Sequence, residues 1–280
     1  MISETWALTV REVKKWVREP ILLFMMIIQP VIWLGLFGKA FNLTGLIQLP
    51  PNLPPQFREM INQMLRSTFG GTTDYFTYMA AGMICVIVLF TAMFSGMSLV
   101  WDRRFGFLNK LLAAPIPRGS IILAKINSSV MRGMFQAILV LGIAMGLGLK
   151  VGDAFGPLDV LGILAALALL SLGLSSMFVA ITIRIKRQET LMATVNLLNL
   201  PLMFASSALF PITQMPDWLQ TIARLNPISY GCNTVRAFIL HSSEGLDLSS
   251  LTFNFEVLIA FALIFSLAGI FFADRGLRKG

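Results

Sequence analysis

The sequence is poor in charge, cysteine and histidine, and each shortage removes a class of protein. Asp, Glu, Lys and Arg make up only 13% of the 280 residues, where ordinary soluble domains carry about 25%. A soluble fold of this length would lack the polar surface needed to cover its core. Cys85 in an apolar run and Cys232 in a polar connection offer no disulfide framework. His241 is the single histidine, which excludes a His-based metal cluster and leaves a Ser-His-Asp triad unsupported; it reads as a solvated loop residue. No G-x-x-x-x-G-K-[ST] loop exists, because Gly35-Leu36-Phe37-Gly38-Lys39 has the wrong spacing and stands at a helix end. The chain therefore cannot cradle nucleotide phosphates in that manner, and it is expected to bind no cofactor or metal and to have no catalytic residues of its own. Acidic residues are scarce in the apolar runs, so no relay of carboxylates for protons or ions is expected.

What the sequence has instead is length of apolar chain. Hydrophobic residues reach 56%. Uncharged runs extend over Ile21–Gly38, Met79–Trp101, Gly133–Leu149, Val160–Ile183 and Val257–Ala273, apart from the occasional polar residue. Each approaches or exceeds the roughly 18–20 residues that span a bilayer core, and helices satisfy their own backbone polar groups there. The expected fold is an all-α polytopic membrane protein, one domain over residues 1–280. Six spans are placed at 20–41, 78–100, 124–149, 158–183, 190–210 and 254–273. The fifth contains Asn196, Asn199 and Pro201, which fits a kink or a cavity-facing helix. The basic N-terminal stretch lacks a small-residue cleavage site after the first run and reads as leading into an uncleaved helix.

Charge sets the orientation. Lys and Arg total 15 in segments 1–19, 101–125, 184–189 and 274–280, against 6 in 39–77, 150–157 and 211–253, with Arg132 inside the third span completing the 22. The positive-inside rule then puts both termini in the cytoplasm of a multi-pass protein of the cell membrane. The net charge of +8 thus follows topology and does not indicate nucleic acid. Arg132 lies about two turns from the cytoplasmic end, close enough to snorkel to the interface.

Four segments carry further pattern. In 1–19, Trp6, Val10, Val13 and Val17 share one helical face while Arg11, Lys14, Lys15 and Arg18 gather opposite, the arrangement of a helix lying in a lipid interface; Pro20 breaks it before the first span. In the 101–123 loop, Phe105, Leu108 and Leu112 stack on one face, with Arg103, Arg104 and Lys110 nearby, before Pro115 and Pro117. An apolar stripe without a core of its own must cover a bilayer or a partner. Residues 42–77 form an outer loop with Pro50, Pro51, Pro54 and Pro55 before a short helix at Gln56–Ser67. Residues 211–253 hold two short helical stretches too polar to span, which suits an outer re-entrant hairpin marked by Pro211, Pro216, Trp218, Asn226, Pro227 and Tyr230. Gly142 and Gly146 form a G-x-x-x-G pair, and Ser171, Gly173 and Ser175 cluster in the fourth span, both patterns of close helix packing.

Three of these stretches resemble the ABC-2 type permease family, particularly its daunorubicin-resistance-like drug and lipid exporter branch. They are the Trp101–Lys125 loop, with its charged cluster, Gly106, paired leucines, Ala-Pro and a basic residue; Phe204–Leu219, with Leu-Phe-Pro and Met-Pro-Asp-Trp-Leu; and Leu225-Asn226-Pro227 through Tyr230 to Arg236. The resemblance implies a permease subunit, no enzyme by itself, that moves an amphiphilic drug-like or lipid substrate outward. It implies a second permease copy, as homo- or heterodimer, docked on cytosolic ABC ATPase subunits that hold ATP and Mg2+. The Arg104–Ala114 helix would couple to the ATPase through Arg103, Arg104, Phe105, Leu108, Lys110 and Leu112, and the N-terminal helix would contact membrane lipid. Export of a lipid-linked polysaccharide is the rival substrate class, and a non-transport scaffold or assembly factor the rival function.

The charge asymmetry carries a direct test. In a background without Cys85 and Cys232, Arg187→Cys is expected to be protected from an impermeant thiol reagent and Asn62→Cys to react. Labelling of position 187 from outside would overturn the orientation.

Overall fold

The computed structural model describes residues 2–40, 54–183, 185, 187–243 and 245–278, and among them all extended regular structure is helical. The elements are α1 (Ile2–Val17), α2 (Pro20–Trp33) running into a π-helical Leu34–Ala40, α3 (Pro55–Thr68), α4 (Tyr75–Arg104), α5 (Phe107–Ala113), α6 (Arg118–Gly146), α7 (Pro157–Thr182), α8 (Gln188–Phe204), α9 (Asp217–Leu225), α10 (Pro227–Ile239) and α11 (Leu248–Arg278).

Four of these helices are long and apolar enough to cross a membrane: Tyr75–Arg104, Arg118–Gly146, Pro157–Thr182 and Leu248–Phe272. The first and fifth expected spans differ from straight crossings. Pro30 stands inside α2, where a ring without an N–H clashes with the preceding turn, and four residues later the chain changes to π geometry, the usual accommodation of such a fault. The fifth ends at Phe204 after 17 residues, three past Pro201; residues 205–210 form a turn where the sequence predicts continued helix. The short helix after the proline run appears at Pro55–Thr68, where the expectation was Gln56–Ser67.

Helix α4 is the axis. Asp74 caps it, accepting from the Thr77 amide at 3.3 Å and from Thr77 Oγ1 at 3.0 Å, and thirty residues without proline then run about 45 Å at 1.5 Å each. Its apolar window is 83% buried by neighbouring helices, against 17% for α11. That contrast puts α4 at the centre of the bundle and α11 at its rim. A helix apolar all round is one that is surrounded.

The long helices meet through small and hydroxyl side chains. Ser175 donates to Ser129 at 2.8 Å across α7 and α6, Ser129 donates to the Thr91 carbonyl at 3.3 Å, and Thr91 bonds Gln136. Gly173 lies under the Phe261 ring, and a Cβ there would also stand 3.3 Å from Ala262 Cα. The G-x-x-x-G pair behaves otherwise. Gly142 and Gly146 face outward with open space where a Cβ would go, so among the described residues that motif packs on nothing.

This difference predicts opposite outcomes for one substitution at two glycines. Gly173→Leu is expected to lower stability by about 1–3 kcal/mol, the usual cost of overpacking. Gly142→Leu is expected to stay within about 0.5 kcal/mol. Thermal unfolding of the two purified variants in one detergent decides it; equal behaviour would discard the α7–α11 contact as a packing constraint.

Candidate functional site

Two regions at opposite ends of α4 gather the polar chemistry. At its C-terminal end α1 lies along α6. The bundle-facing residues of α1 are Thr9, Glu12 and Trp16, whereas Trp6 is 60% exposed, Val17 is exposed, and Val10 and Val13 are half-buried. The apolar stripe of the sequence therefore points mainly away from the bundle, leaving it for an interface, and a second stripe one residue earlier makes the internal contact.

That second stripe delivers Glu12 to a buried ion cluster. Lys125 Nζ of α6 lies 3.0 Å from Glu12 Oε2, pairs with Asp102 at the end of α4, and donates to Ser98 Oγ at 2.6 Å. Glu12 Oε1 takes a second cation, Arg11, at 2.9 Å. Arg11 in turn lies 3.7 Å from the centre of the Phe107 ring, tying α1 to α5. Burial pushes the Glu12 carboxyl up, but the Lys125 ammonium, by charge and hydrogen bond, and then Arg11 and Lys15 outweigh it and hold the pKa below its ordinary 4.5. Glu12, Asp102 and Lys125 are residues that the sequence reading passed over. Asp102 and Lys125 count there as loop charges; the Thr9–Glu12–Trp16 spacing was the available signal for Glu12.

Arg132 does not snorkel. Its side chain is 8% exposed, with Nε donating to the Ser128 carbonyl at 3.1 Å and one terminal nitrogen, Nη2, without a hydrogen-bond partner.

The coupling segment is divided differently from expectation. Gly106 takes φ 70°, a left-handed geometry that favours glycine. Its amide bonds the Arg103 carbonyl at 3.1 Å, ending α4 before α5 starts. The expected Arg104–Ala114 helix is thus broken, and Phe105, 80% exposed, belongs to the end of α4. Leu108 is only 2% exposed, sealed with Leu111 against Leu99, Ile121, Ile122, Ile126, Val179 and Ile183. It stabilises its own chain and is not a knob for a partner. The Leu112 side chain lies outside the described part. Arg103 turns inward, donating to the carbonyls of Ile183 at 2.9 Å and Ile185 at 3.4 Å, while Arg104 bonds Gln188 at the surface. The outward rim is Arg104, Phe105, Asn109 and Lys110.

At the other end of α4, α9 and α10 form the hairpin. Asn226 carries its turn. Its Oδ1 accepts from the Ile228 amide at 3.0 Å, and its Nδ2 donates to the carbonyls of Leu202 at 2.9 Å and Ala205 at 2.6 Å, which the end of α8 leaves open. Pro227 starts α10, and Tyr230 closes the turn on the Arg224 carbonyl at 2.7 Å. Pro211 is buried, while Pro216 and Trp218 are exposed. Arg236, which the reading used only as a motif end, is buried with its guanidinium over the Tyr78 ring at 3.7 Å. It donates to the carbonyls of Ser207 at 3.1 Å and Tyr78 at 3.3 Å and to Asn233 Oδ1 at 3.1 Å. His241 is no free loop residue either, since its Nδ1 lies 2.9 Å from Asp159 Oδ1. Among the described residues no His, Cys, Asp and Glu group could hold a metal ion.

The direction of the Glu12 shift gives a pH dependence. A carboxyl whose folded pKa is depressed contributes stability above its unfolded value, and loses it as pH falls through the folded one. The docking of α1 is therefore expected to be firm at neutral pH and to loosen below pH 4.5. Protease cleavage within α1 should rise there in the native chain, while Glu12→Gln should lack that step. Equal protection of the native chain at both pH values would refute the role of the pair.

The ABC-2 type transporter family matches residues 3–240. A transport permease named ycf38 from Pyropia yezoensis is 32% identical over 84% of this chain and 74% of its own length. The ycf38 transport permease of Cyanophora paradoxa is 30% identical over 99% of this chain and 90% of its own. The daunorubicin resistance ABC transporter permease protein DrrB1 of Streptomyces coeruleorubidus is 22% identical over 69% and 68%. With its membrane-length helices and a match over most of its length, the chain belongs to the ABC-2 type transporter family.

Proposed function

We propose that the chain is the membrane subunit of an ATP-driven exporter that moves an amphiphilic drug-like or lipid solute outward, with ATP and Mg2+ held by a separate cytosolic ATPase. The observation that carries this reading is the construction of the α4–α5 joint. A seven-residue helix is too short to persist alone, yet α5 is clamped on α4, α6 and α7 by Leu108 and Leu111 while Arg104, Phe105, Asn109 and Lys110 stay outside. This is a rigid rim offered to a soluble partner. The missing P-loop is consistent with nucleotide chemistry residing on that partner, and the relatives named as transport permeases point the same way.

In the same reading the kinked α2 and the shortened α8 complete six crossings. Both termini face the cytoplasm of the cell membrane, and two permease copies sit side by side. Exposed Ile21, Phe24 and Met25 on α2, and Leu197 and Leu200 on α8, are available to lipid or to that second copy. ATP closing the ATPase pair would push the rim, and α4 would carry the displacement toward the α9–α10 hairpin.

The rim and the clamp are separable by mutation. Phe105→Asp is expected to leave membrane levels and melting unchanged, and to weaken association with the ABC ATPase about tenfold. Covering an exposed aromatic is worth roughly 1.5–3 kcal/mol, and about 1.4 kcal/mol is one decade. Leu108→Asp should act the other way, lowering the level of folded chain because the carboxylate enters its own core. Pull-down of the ATPase at matched permease levels is the measurement. Undiminished association with Phe105→Asp would remove the rim from the coupling role.

A further inference from the structure

The ion cluster leaves one charge unanswered. Arg132 is nine-tenths buried, its Nη2 has no partner, and Glu12, which lines the same cavity, already gives one oxygen to Lys125 and the other to Arg11. A buried guanidinium with an open terminal nitrogen is costly, and an oxyanion is the acceptor that best completes its bonds. Beside it lies a cavity of about 50 Å³ between α1, α4 and α6. A single water needs only about 10–15 Å³, so the space exceeds one bridging water.

The lining indicates what enters. Lys15 and Arg132 supply cations, Glu19 supplies a carboxylate at the end of α1, and Trp16, Trp101 and Phe94 supply aromatic surface. With Glu12 taken by Lys125 and Arg11, the cavity offers two cations, Lys15 and Arg132, and one carboxylate, Glu19. A head carrying both a phosphate and an ammonium matches both signs. Tryptophans are also the side chains that settle at the headgroup level of a bilayer. Trp16 meets Phe135 edge-on at 5.8 Å, and Phe135 and Met131 are exposed on the outward side of α6, where an acyl chain can continue.

We infer that this cavity is a binding site for an amine-bearing phospholipid headgroup, the phosphate held by Arg132 and Lys15 and the ammonium by Glu19. The inference rests on the reading of α1 as a helix at a membrane surface. It makes the cavity a lipid contact that also completes the seam between α1 and the bundle.

The full-length chain in detergent is titrated with phosphatidylethanolamine, phosphatidylglycerol or inorganic phosphate, reading thermal stability and lipid retained in native mass spectra. Phosphatidylethanolamine is expected to act at about tenfold lower concentration than phosphatidylglycerol, a hydrogen bond to a charged group being worth at least one decade. Arg132→Gln, which removes a buried charge and so should fold, is expected to raise the phosphatidylethanolamine requirement about tenfold or more. Glu19→Gln should bring phosphatidylethanolamine to the level of phosphatidylglycerol. Lys15→Gln, on the exposed side of α1, should weaken the ethanolamine lipid by a smaller factor. Equal retention by Arg132→Gln and the native chain, parity of the two lipids on the native chain, or equal stabilisation by inorganic phosphate would each overturn the site. ATPase pull-down is run on the same variants. Intact association with failed lipid selectivity would sink this site alone, and lost association of the native chain would sink the exporter reading instead.

Discussion

The Lys125 ammonium is the interaction on which the α1 end of the molecule depends. It is buried and meets Asp102 of α4, Glu12 of α1 and the Ser98 hydroxyl. A lone cation there would be unfavourable by several kcal/mol, and so would either carboxylate without it. The cluster is therefore an all-or-none device. It fixes the register of α1 along α6, because a shift of one residue would take Glu12 away from Lys125. It fixes the end of α4 as well, because Asp102 lies three residues before Phe105. Apolar contact alone would let such helices slide; a buried pair specifies where they stop.

The opposite end of α4 answers the same problem with neutral groups. A helix that ends within an apolar environment leaves carbonyls that must be satisfied. Asn226 takes those of Leu202 and Ala205, Tyr75 donates to Leu209 at 3.2 Å, and Tyr78 donates to Ser207 at 2.9 Å. The Ser207 carbonyl takes Arg236 as well. Gly82 is required beneath this turn, since any Cβ would collide with the Ala208 carbonyl. The turn at 205–210 thus persists because tyrosine, asparagine and arginine reach it from three different segments, α4, the α9–α10 junction and α10.

How far this could be read from the chain follows from which signals are local. The long apolar runs Met79–Trp101 and Val160–Ile183 predict helices within a few residues, since length and lack of charge suffice. The hairpin is legible through Asn226-Pro227, a cap followed by a first-turn proline. The faces of the short helices were not. On α1 the stripes Trp6–Val10–Val13–Val17 and Thr5–Thr9–Glu12–Trp16 have the same period and differ by one residue. The more apolar one wins any reading by hydrophobicity, yet the buried Lys125 selects the other. On the 101–123 loop the three-residue stripe hid the break, because the left-handed turn at Gly106 rotates Phe105 away from Leu108. Charges such as Asp102 and Lys125 look alike whether solvated or paired; only the fold brings them together.

These constraints decide where a force applied at the cytosolic rim would go in the proposed exporter. The joint between α4 and α5 has one residue of left-handed backbone, Gly106, and the chain beyond α5 is stiffened by Pro115 and Pro117. Helix α5 cannot tilt alone, because Leu108 and Leu111 share one apolar cluster with α4, α6 and α7, and Phe107 carries Arg11 of α1. A push on it is therefore shared among four helices instead of being absorbed by a loop. Among the described residues of this joint, Phe105 is a large apolar side chain left largely uncovered, immediately before Gly106. A partner that covers Phe105 acts on the hinge itself, at the end of the helix that runs to the hairpin.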